Sequence, residues 1–388
     1  MADYKINQYR GVYKRAFELY EAEKFKECLP MFELVVQNDP ENYNAQFYLA
    51  EMLYYGKGVS KNIKRAFSLY MGAAVHKNID AAYMVGMCYL EGNGIMQDST
   101  QAVAWFTEAA KYAHPLSQYY LGLAYMKGEG IAKDIPRAAS WLVHAAKQGV
   151  VDAKRDGGIC YEELGKMKGA ATLYLAGAED GDAYCMEKIA DCYADGNGAL
   201  QSTELAVHYY ELAAENGNVE AQVKMANRYF KGNGVTQSID KAIYWYQKAA
   251  NNDNAEAQNA LAECYHLGDG VPKNDLTAIS WWEKSAEKGN VDAMIHLAEN
   301  LTDPTDDDID KDLVTAKMWW SKAAEAGDAY AMYRLGDCYE KGIGVSVVSL
   351  DDAFQWYRLS SQNGNEDATE AVKRFSRGIG GKVKIKKK

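Results

Sequence analysis

The side chains able to do chemistry in this sequence fall into a few patterns, and each lacks something its chemistry needs. G-x-G tripeptides recur along the chain, Gly92-Asn93-Gly94 among them. Such glycines let a backbone wrap a pyrophosphate when they lie between a strand and a helix. Here they follow segments of helical periodicity instead. Gly381-Lys382 has neither the earlier glycine nor the following Ser or Thr of a phosphate loop. The histidines, His76, His114, His144, His208, His266 and His296, show no H-E-x-x-H or other ligand spacing. Aspartates at 306, 308, 310 and 312 alternate as calcium ligands do, yet the loop has no glycine at its sixth place, and Lys317 stands where a bidentate glutamate belongs. That pattern predicts a solvated, self-repelling acidic loop that also caps the helix after it. No catalytic residue, cofactor or metal site follows from these groups, and the chain is expected not to be an enzyme.

The elements that hold these residues are best seen between Ala221 and Glu256. Ala221, Met225 and Tyr229 fall at i, i+4 and i+8, one apolar stripe on a helix. Gly232-Asn233-Gly234 breaks that helix. Asp240 is the expected cap of a second helix whose inner face carries Ala242, Ile243, Trp245, Tyr246, Ala249 and Ala250. Small residues let the backbones approach, and the aromatic rings fill the space between neighbouring pairs. One such pair cannot bury its apolar faces alone, so it needs another copy stacked on it.

The copies are present. The small residue opening each first helix recurs at Ala45, Ala81, Ser117, Ala153, Cys185, Ala221, Ala257, Ala293 and Ala331, with spacings of 36, 36, 36, 32, 36, 36, 36 and 38. Nine units therefore cover residues 44–367. The pattern A-x-x-x-L-G-x-x-Y-x-x-G-x-G-V, followed by a second helix of the form A-x-x-W-Y-x-K-A-A-x-x-G, resembles the Sel-1-like repeat, a relative of the tetratricopeptide repeat. Its best matches are Leu121-Gly122 with Tyr125 and Gly128-Glu129-Gly130-Ile131, and Leu335-Gly336 with Tyr339 and Gly342-Ile343-Gly344-Val345. The resemblance implies an all-α, right-handed α/α superhelical solenoid acting as a scaffold or adaptor in protein–protein interaction.

Cys88, Cys160, Cys192, Cys264 and Cys338 share one repeat position, seven after the opening residue. A disulfide-rich, secreted branch of the family, some of it hydrolytic, has paired cysteines within each repeat, whereas most units here have no second cysteine. Cys185 and Cys192 are seven apart on one helix, about 10 Å by the helical rise and too far to bridge. These thiols are expected to be small buried apolar residues.

Composition agrees with a helical array, with only 6 prolines and with 33 glycines concentrated at helix ends. A net charge of −11 argues against nucleic acid as the main ligand, because phosphate binding needs a basic surface. The first residues, MADYKINQYRGVYKRAF, contain no apolar core of signal-peptide length, and no run of 18 apolar residues occurs, so the expected location is cytoplasmic.

Some segments depart from the repeat. Residues 1–43 resemble a tetratricopeptide hairpin that caps the array or docks a partner itself, with Pro30 predicting a kink or a late start in its second helix. The fourth unit is shorter by four and has Leu173 where its neighbours carry Trp or Tyr, a packing variation or a hinge. Residues 368–375 read as a capping helix. Residues 376–388, glycine-rich and basic, read as a mobile tail that aids solubility or touches an acidic partner or anionic surface.

On each first helix the core takes the opening position, +4 and +8, so +2, +3, +6 and +10 point the other way at about 100° per residue. The family resemblance places first helices on the concave side. In the first four units these positions are Phe47, Tyr48, Tyr83, Met84, Met87, Tyr119, Tyr120, Leu123 and Ile159; later they turn polar, as at Lys188, Asp191, Lys224 and Asn227. A contiguous apolar surface on a chain without membrane spans implies a cover. The expected occupant is an apolar peptide or helix of a protein partner. A homodimer through the same patch, or burial of the patch by curvature or by the N-terminal hairpin, are the alternatives.

Overall fold

The computed structural model describes residues 2–304, 310–377 and 383–385. They form two compact units, residues 1–202 and 203–388. The first unit contains α1 (Ala2–Glu21), α2 (Phe25–Asn38), α3 (Tyr43–Tyr55), α4 (Ile63–Ala74), α5 (Ile79–Glu91), α6 (Ser99–Lys111), α7 (Pro115–Lys127), α8 (Ile135–Lys147), α9 (Val151–Glu163), α10 (Met167–Glu179) and α11 (Ala183–Asp195). The second contains α12 (Thr203–Glu215), α13 (Val219–Lys231), α14 (Ile239–Asn251), α15 (Ala255–Leu267), α16 (Asp275–Glu287), α17 (Val291–Thr302), α18 (Leu313–Glu325), α19 (Ala329–Lys341), α20 (Leu350–Gln362) and α21 (Glu366–Lys373), then a ribbon of β1 (Phe375–Arg377) and β2 (Val383–Ile385). Consecutive helices pack on one another within each unit. The chain is an all-α solenoid of the right-handed α/α class. No described helix is long and apolar enough to cross a membrane.

The repeat is written in its caps. Asn78 accepts the Ala81 N–H at 2.8 Å, and Asn42, Asp182, Asn218, Asn254, Asn290 and Asp328 do the same for the opening residues of their helices. Each satisfies a donor that the helix itself leaves unpaired. On α14 the cap is Ser238, which accepts from Lys241, rather than Asp240, because the helix already starts at Ile239. Asp312 caps α18 through the Thr315 N–H at 3.0 Å, as expected of the acidic loop. The aspartates at 306 and 308 lie outside the described residues.

The G-x-G turns serve stacking. Gly92 ends α5 in the left-handed conformation, with φ +75°. Gly94, with φ +79°, lies against the first turn of α4, where a Cβ would stand 2.7 Å from the Ile63 carbonyl oxygen. The first glycine terminates a helix, and the second lets the loop touch the preceding pair.

The core positions of the first helices pack against a large buried side chain at one equivalent place on each second helix: Tyr70, Phe106, Leu142, Tyr174, Tyr210, Tyr246, Trp282, Trp320 and Tyr357. All seven cysteines are buried and free. Burial pushes the Cys88 thiol up to about 12 and those of Cys160, Cys192, Cys264 and Cys338 to about 11, as for inert apolar residues.

Three expectations need correction. α2 runs through Pro30 from Phe25, so no late start occurs. The last helix is Glu366–Lys373 rather than 368–375. Beyond it the tail is partly ordered, with Phe375, Ser376 and Arg377 pairing antiparallel with Ile385, Lys384 and Val383. Val383 and Ile385 alternate with lysines, a strand period, and Val383 is buried beside Phe375 while its N–H donates to Asp351.

Candidate functional site

The first helices of the N-terminal unit carry most of the candidate residues, and the turn chemistry above fixes their rotation. α3 presents Phe47 and Tyr48, α5 Tyr83 and Met87, α7 Tyr119, Tyr120 and Leu123, and α9 Ile159. All of these are half-buried. Met84 is not part of that surface. It is only 7% exposed and belongs to the core cluster with Ala50, Val85 and Ala109.

The aromatic rings form a chain of contacts. Tyr48 packs against Phe17, Tyr20 and Phe32 of the N-terminal hairpin at 5.2, 5.0 and 5.8 Å. The hairpin thus covers one side of Tyr48, and burial pushes its phenol up to about 12. Tyr83 touches Phe106 and Tyr120, both at 6.1 Å, and Phe106 stacks on Tyr120 at 5.3 Å. Tyr119 lies 5.4 Å from Tyr120 and donates its hydroxyl to Asp156 at 3.0 Å. Phe47 meets Tyr48 at 5.3 Å and Tyr70 at 5.9 Å. The ring contacts of the aromatic candidates therefore fall into two groups, one on α3 with the hairpin and one on α5 and α7.

The switch from apolar to polar at +6 has a partner in the second helices. The buried Tyr70 hydroxyl donates to Glu51 at 2.6 Å, that of Tyr246 to Asn227 at 2.5 Å, and that of Tyr357 lies between Asp337 at 2.7 Å and Glu340 at 2.6 Å. Glu51, Asn227 and Asp337 are +6 residues, and Glu340 is at +9. A buried hydroxyl without an acceptor costs about 1–3 kcal/mol, so tyrosine requires a polar neighbour. Where the second helix carries Phe106 or Leu142, no hydroxyl needs one, and +6 is Met87 or Leu123. In the short unit Tyr174 is present while +6 is Ile159, and Glu162 at +9 takes the hydroxyl at 2.7 Å. Burial raises the Glu51 carboxyl above the usual carboxylate range.

A cleft of 100 Å³ opens beside the α5–α7 group, lined by Leu90, Val103, Phe106, Tyr120 and Leu123 with Lys127 and Glu129 at its edge. Leu90, Val103 and Phe106 escaped the outward-pointing rule because they lie at +9 and on a second helix. A polar cluster begins at Asp156. Arg155 reaches Asp152 at 3.0 Å, Asp182 at 3.2 Å and Asp156 at 3.5 Å. Among the described residues, no group of three or more His, Cys, Asp or Glu side chains is placed to hold a metal ion.

A chain of stacked helix pairs punctuated by G-x-G turns is a repeat solenoid, and its class follows from that geometry. The Sel1 repeat model matches residues 44–70, 79–111, 115–150, 183–218, 219–254, 255–290, 291–328 and 329–365, and the chain belongs to that family. The short unit at 151–182 is not matched, although α9 and α10 form a helix pair there. A protective antigen of uropathogenic Escherichia coli, c5321, with an SLR fold, is similar at 27% identity over 88% of this chain and 73% of that one, with a TM-score of 0.75. A Sel1 repeat protein from Oxalobacter formigenes is 26% identical over 88% of this chain and 89% of its own, with a TM-score of 0.46. No curated protein matches the chain.

Proposed function

We propose that the protein is a non-catalytic adaptor or scaffold whose N-terminal first-helix face, on the concave side, holds an apolar peptide or helix of a protein partner. The observation that carries this reading is the apolar cleft lined by the half-exposed Tyr120 and Leu123, with the half-exposed Tyr83 packed against Tyr120. Rigid aromatic rings supply contact area at little entropic cost, and methionine adapts to the surface laid on it. Helix-in-groove recognition uses such surfaces. Tyr48 enters this reading only through its open side, because the hairpin covers the other.

The test is affinity capture from native lysate with mass-spectrometric readout, comparing the intact chain with Tyr83→Ser/Tyr120→Ser after both show the same helical circular dichroism. Specific proteins retained by the intact chain and lost by the variant support the reading. The same set retained by both overturns it. Light scattering on the same samples separates self-association: a dimer that the double substitution dissociates would replace the foreign partner with a second copy.

A further inference from the structure

A buried glutamine recurs at +1, directly after the opening residue of a first helix. Gln118, Gln222 and Gln258 each reach back across a turn, and their Nε2 donates to a carbonyl at the end of the preceding second helix. The acceptors are Ala110 at 3.3 Å, Ala214 at 3.1 Å and Ala250 at 3.0 Å. In the second repeat the corresponding pair is Ala82 and Ala74, and the alanine side chain is too short to make the bond. The turn itself is unchanged. Lys77 N–H donates to the Ala74 carbonyl at 3.0 Å, as Ala113, Gly217 and Asp253 donate to Ala110, Ala214 and Ala250 at 3.0, 3.2 and 3.1 Å. All four donors are left-handed, with φ of 69°, 61°, 85° and 66°. The Ala74 carbonyl therefore holds the same orientation as the other three and receives no side-chain donor. Where the glutamine is missing there is a cavity of 330 Å³, lined by Ala74, Val75, Ile79, Ala82, Trp105 and Tyr112 among others. Ala74 is 6% exposed, against 2%, 1% and 1% for Ala110, Ala214 and Ala250. A cavity of 370 Å³ lies at the equivalent place beside Lys154, the +1 residue of the short repeat, which turns forward and donates to the Ala176 carbonyl at 3.3 Å.

We infer that the cavity between α4, α5 and α6 binds a glutamine side chain presented by a polypeptide partner, in the place that the chain's own glutamine takes in three other repeats. The carboxamide N–H donates to the Ala74 carbonyl, and the methylenes lie among Ile79, Ala82 and Trp105. Tyr112 stands where Gln148 donates to the Gln118 Oε1 at 2.7 Å, so a phenol borders the side on which the amide oxygen falls. Ligand pockets run from roughly 300 to 1,000 Å³, so a cavity of this size takes a glutamine with one apolar neighbour rather than a large molecule. Exposed Val75 and Tyr112 extend its wall outward to meet that neighbour. Glutamate offers no donor to the carbonyl, and methionine fills the space but leaves the hydrogen bond unmade. This site is separate from the Tyr120–Leu123 cleft and goes beyond the function proposed above.

The experiment is selection of phage-displayed random peptides on the full chain with depletion on Ala82→Gln, whose new side chain should occupy the cavity. Discriminating clones are then measured as free synthetic peptides. They are expected to carry a glutamine, to bind Tyr83→Ser/Tyr120→Ser as tightly as the intact chain, and to bind Ala82→Gln at least tenfold more weakly. Replacing the peptide glutamine by methionine should weaken binding roughly three- to tenfold, the worth of one hydrogen bond, and replacing it by glutamate should weaken it further. Ala82→Gln is expected to melt at or above the temperature of the intact chain. The inference is overturned if no clone discriminates, if discriminating peptides lack glutamine or tolerate methionine and glutamate in its place, or if they are lost on Tyr83→Ser/Tyr120→Ser. A clearly lower melting temperature for Ala82→Gln overturns it too, because the cavity would then not have the shape of a glutamine.

Discussion

Replacing Gly94 by alanine should cost more stability than replacing Gly92, although the two glycines share one turn and nearly one backbone conformation. Their φ angles are +79° and +75°. An alanine in that left-handed region costs about 1–2 kcal/mol, and this part is common to both. The surrounding space differs. A Cβ on Gly92 would meet nothing closer than the Gln97 Cβ at 3.5 Å, whereas one on Gly94 would lie 2.7 Å from the Ile63 carbonyl oxygen and 3.1 Å from its carbon. That carbonyl belongs to the first turn of α4 and cannot swing aside without loosening the helix. The loop must lift instead, and overpacking of this kind adds about 1–3 kcal/mol. Gly92→Ala is therefore expected to lose about 1–2 kcal/mol and Gly94→Ala about 2–5 kcal/mol. Urea unfolding followed by circular dichroism measures both from the midpoint of the transition at constant slope. Equal losses, or a milder effect at Gly94, would show that the second glycine of the tripeptide is not there for contact between pairs.

Three further outcomes follow from the structure. His296, with Nε2 3.6 Å from the Glu263 carboxylate, has its pKa raised above 6.5, first by that close carboxylate and also by the nearby charges of Glu299 and Asp292. A pKa raised by folding stabilises below the unfolded value and ceases to do so as pH rises through the folded one. Melting should therefore drop slightly, by less than about 1 kcal/mol at this 37% exposed side chain, as pH rises from 6.5, and a drop that persists unchanged in Glu263→Gln refutes the assignment. Lys77, Ala113 and Asp253 adopt φ of 69°, 61° and 66° at the second-helix end where Gly149, Gly217 and Gly289 sit in other repeats; Lys77→Gly and Ala113→Gly should each raise stability by about 0.5–1 kcal/mol, and a loss on either substitution contradicts this. With all 7 thiols buried, Ellman's reagent should label almost none in the native chain and all of them in denaturant, and rapid native labelling would contradict that packing.

The fold was legible because the repeat is written many times over: small opening residues, G-x-G punctuation and buried rings return at fixed spacing, so chance matches average out. The candidate face was legible only in part. A rule of 100° per residue gives a direction but not a depth, so it placed Met84 outside although it is buried in the core cluster. It also missed Leu90 and Phe106, whose places depend on how one helix pair meets another. The polar turn at +6 was visible in Glu51, Asn227 and Asp337, but its cause lies some twenty residues on in the hydroxyls of Tyr70, Tyr246 and Tyr357. A comparison of the two positions across repeats would have found it. In the tail, the alternation of Val383 and Ile385 with lysine was hidden by glycine and charge, and a strand of this length needs Phe375 and Tyr357 to pack on, which composition does not reveal.

The most direct test of the central claim is amide hydrogen exchange of the full chain with and without a captured partner. Binding at the N-terminal face predicts slowed exchange in α5 and α7, and no slowing there in Tyr83→Ser/Tyr120→Ser. Protection confined to residues 203–388, or to the tail strands, would contradict it.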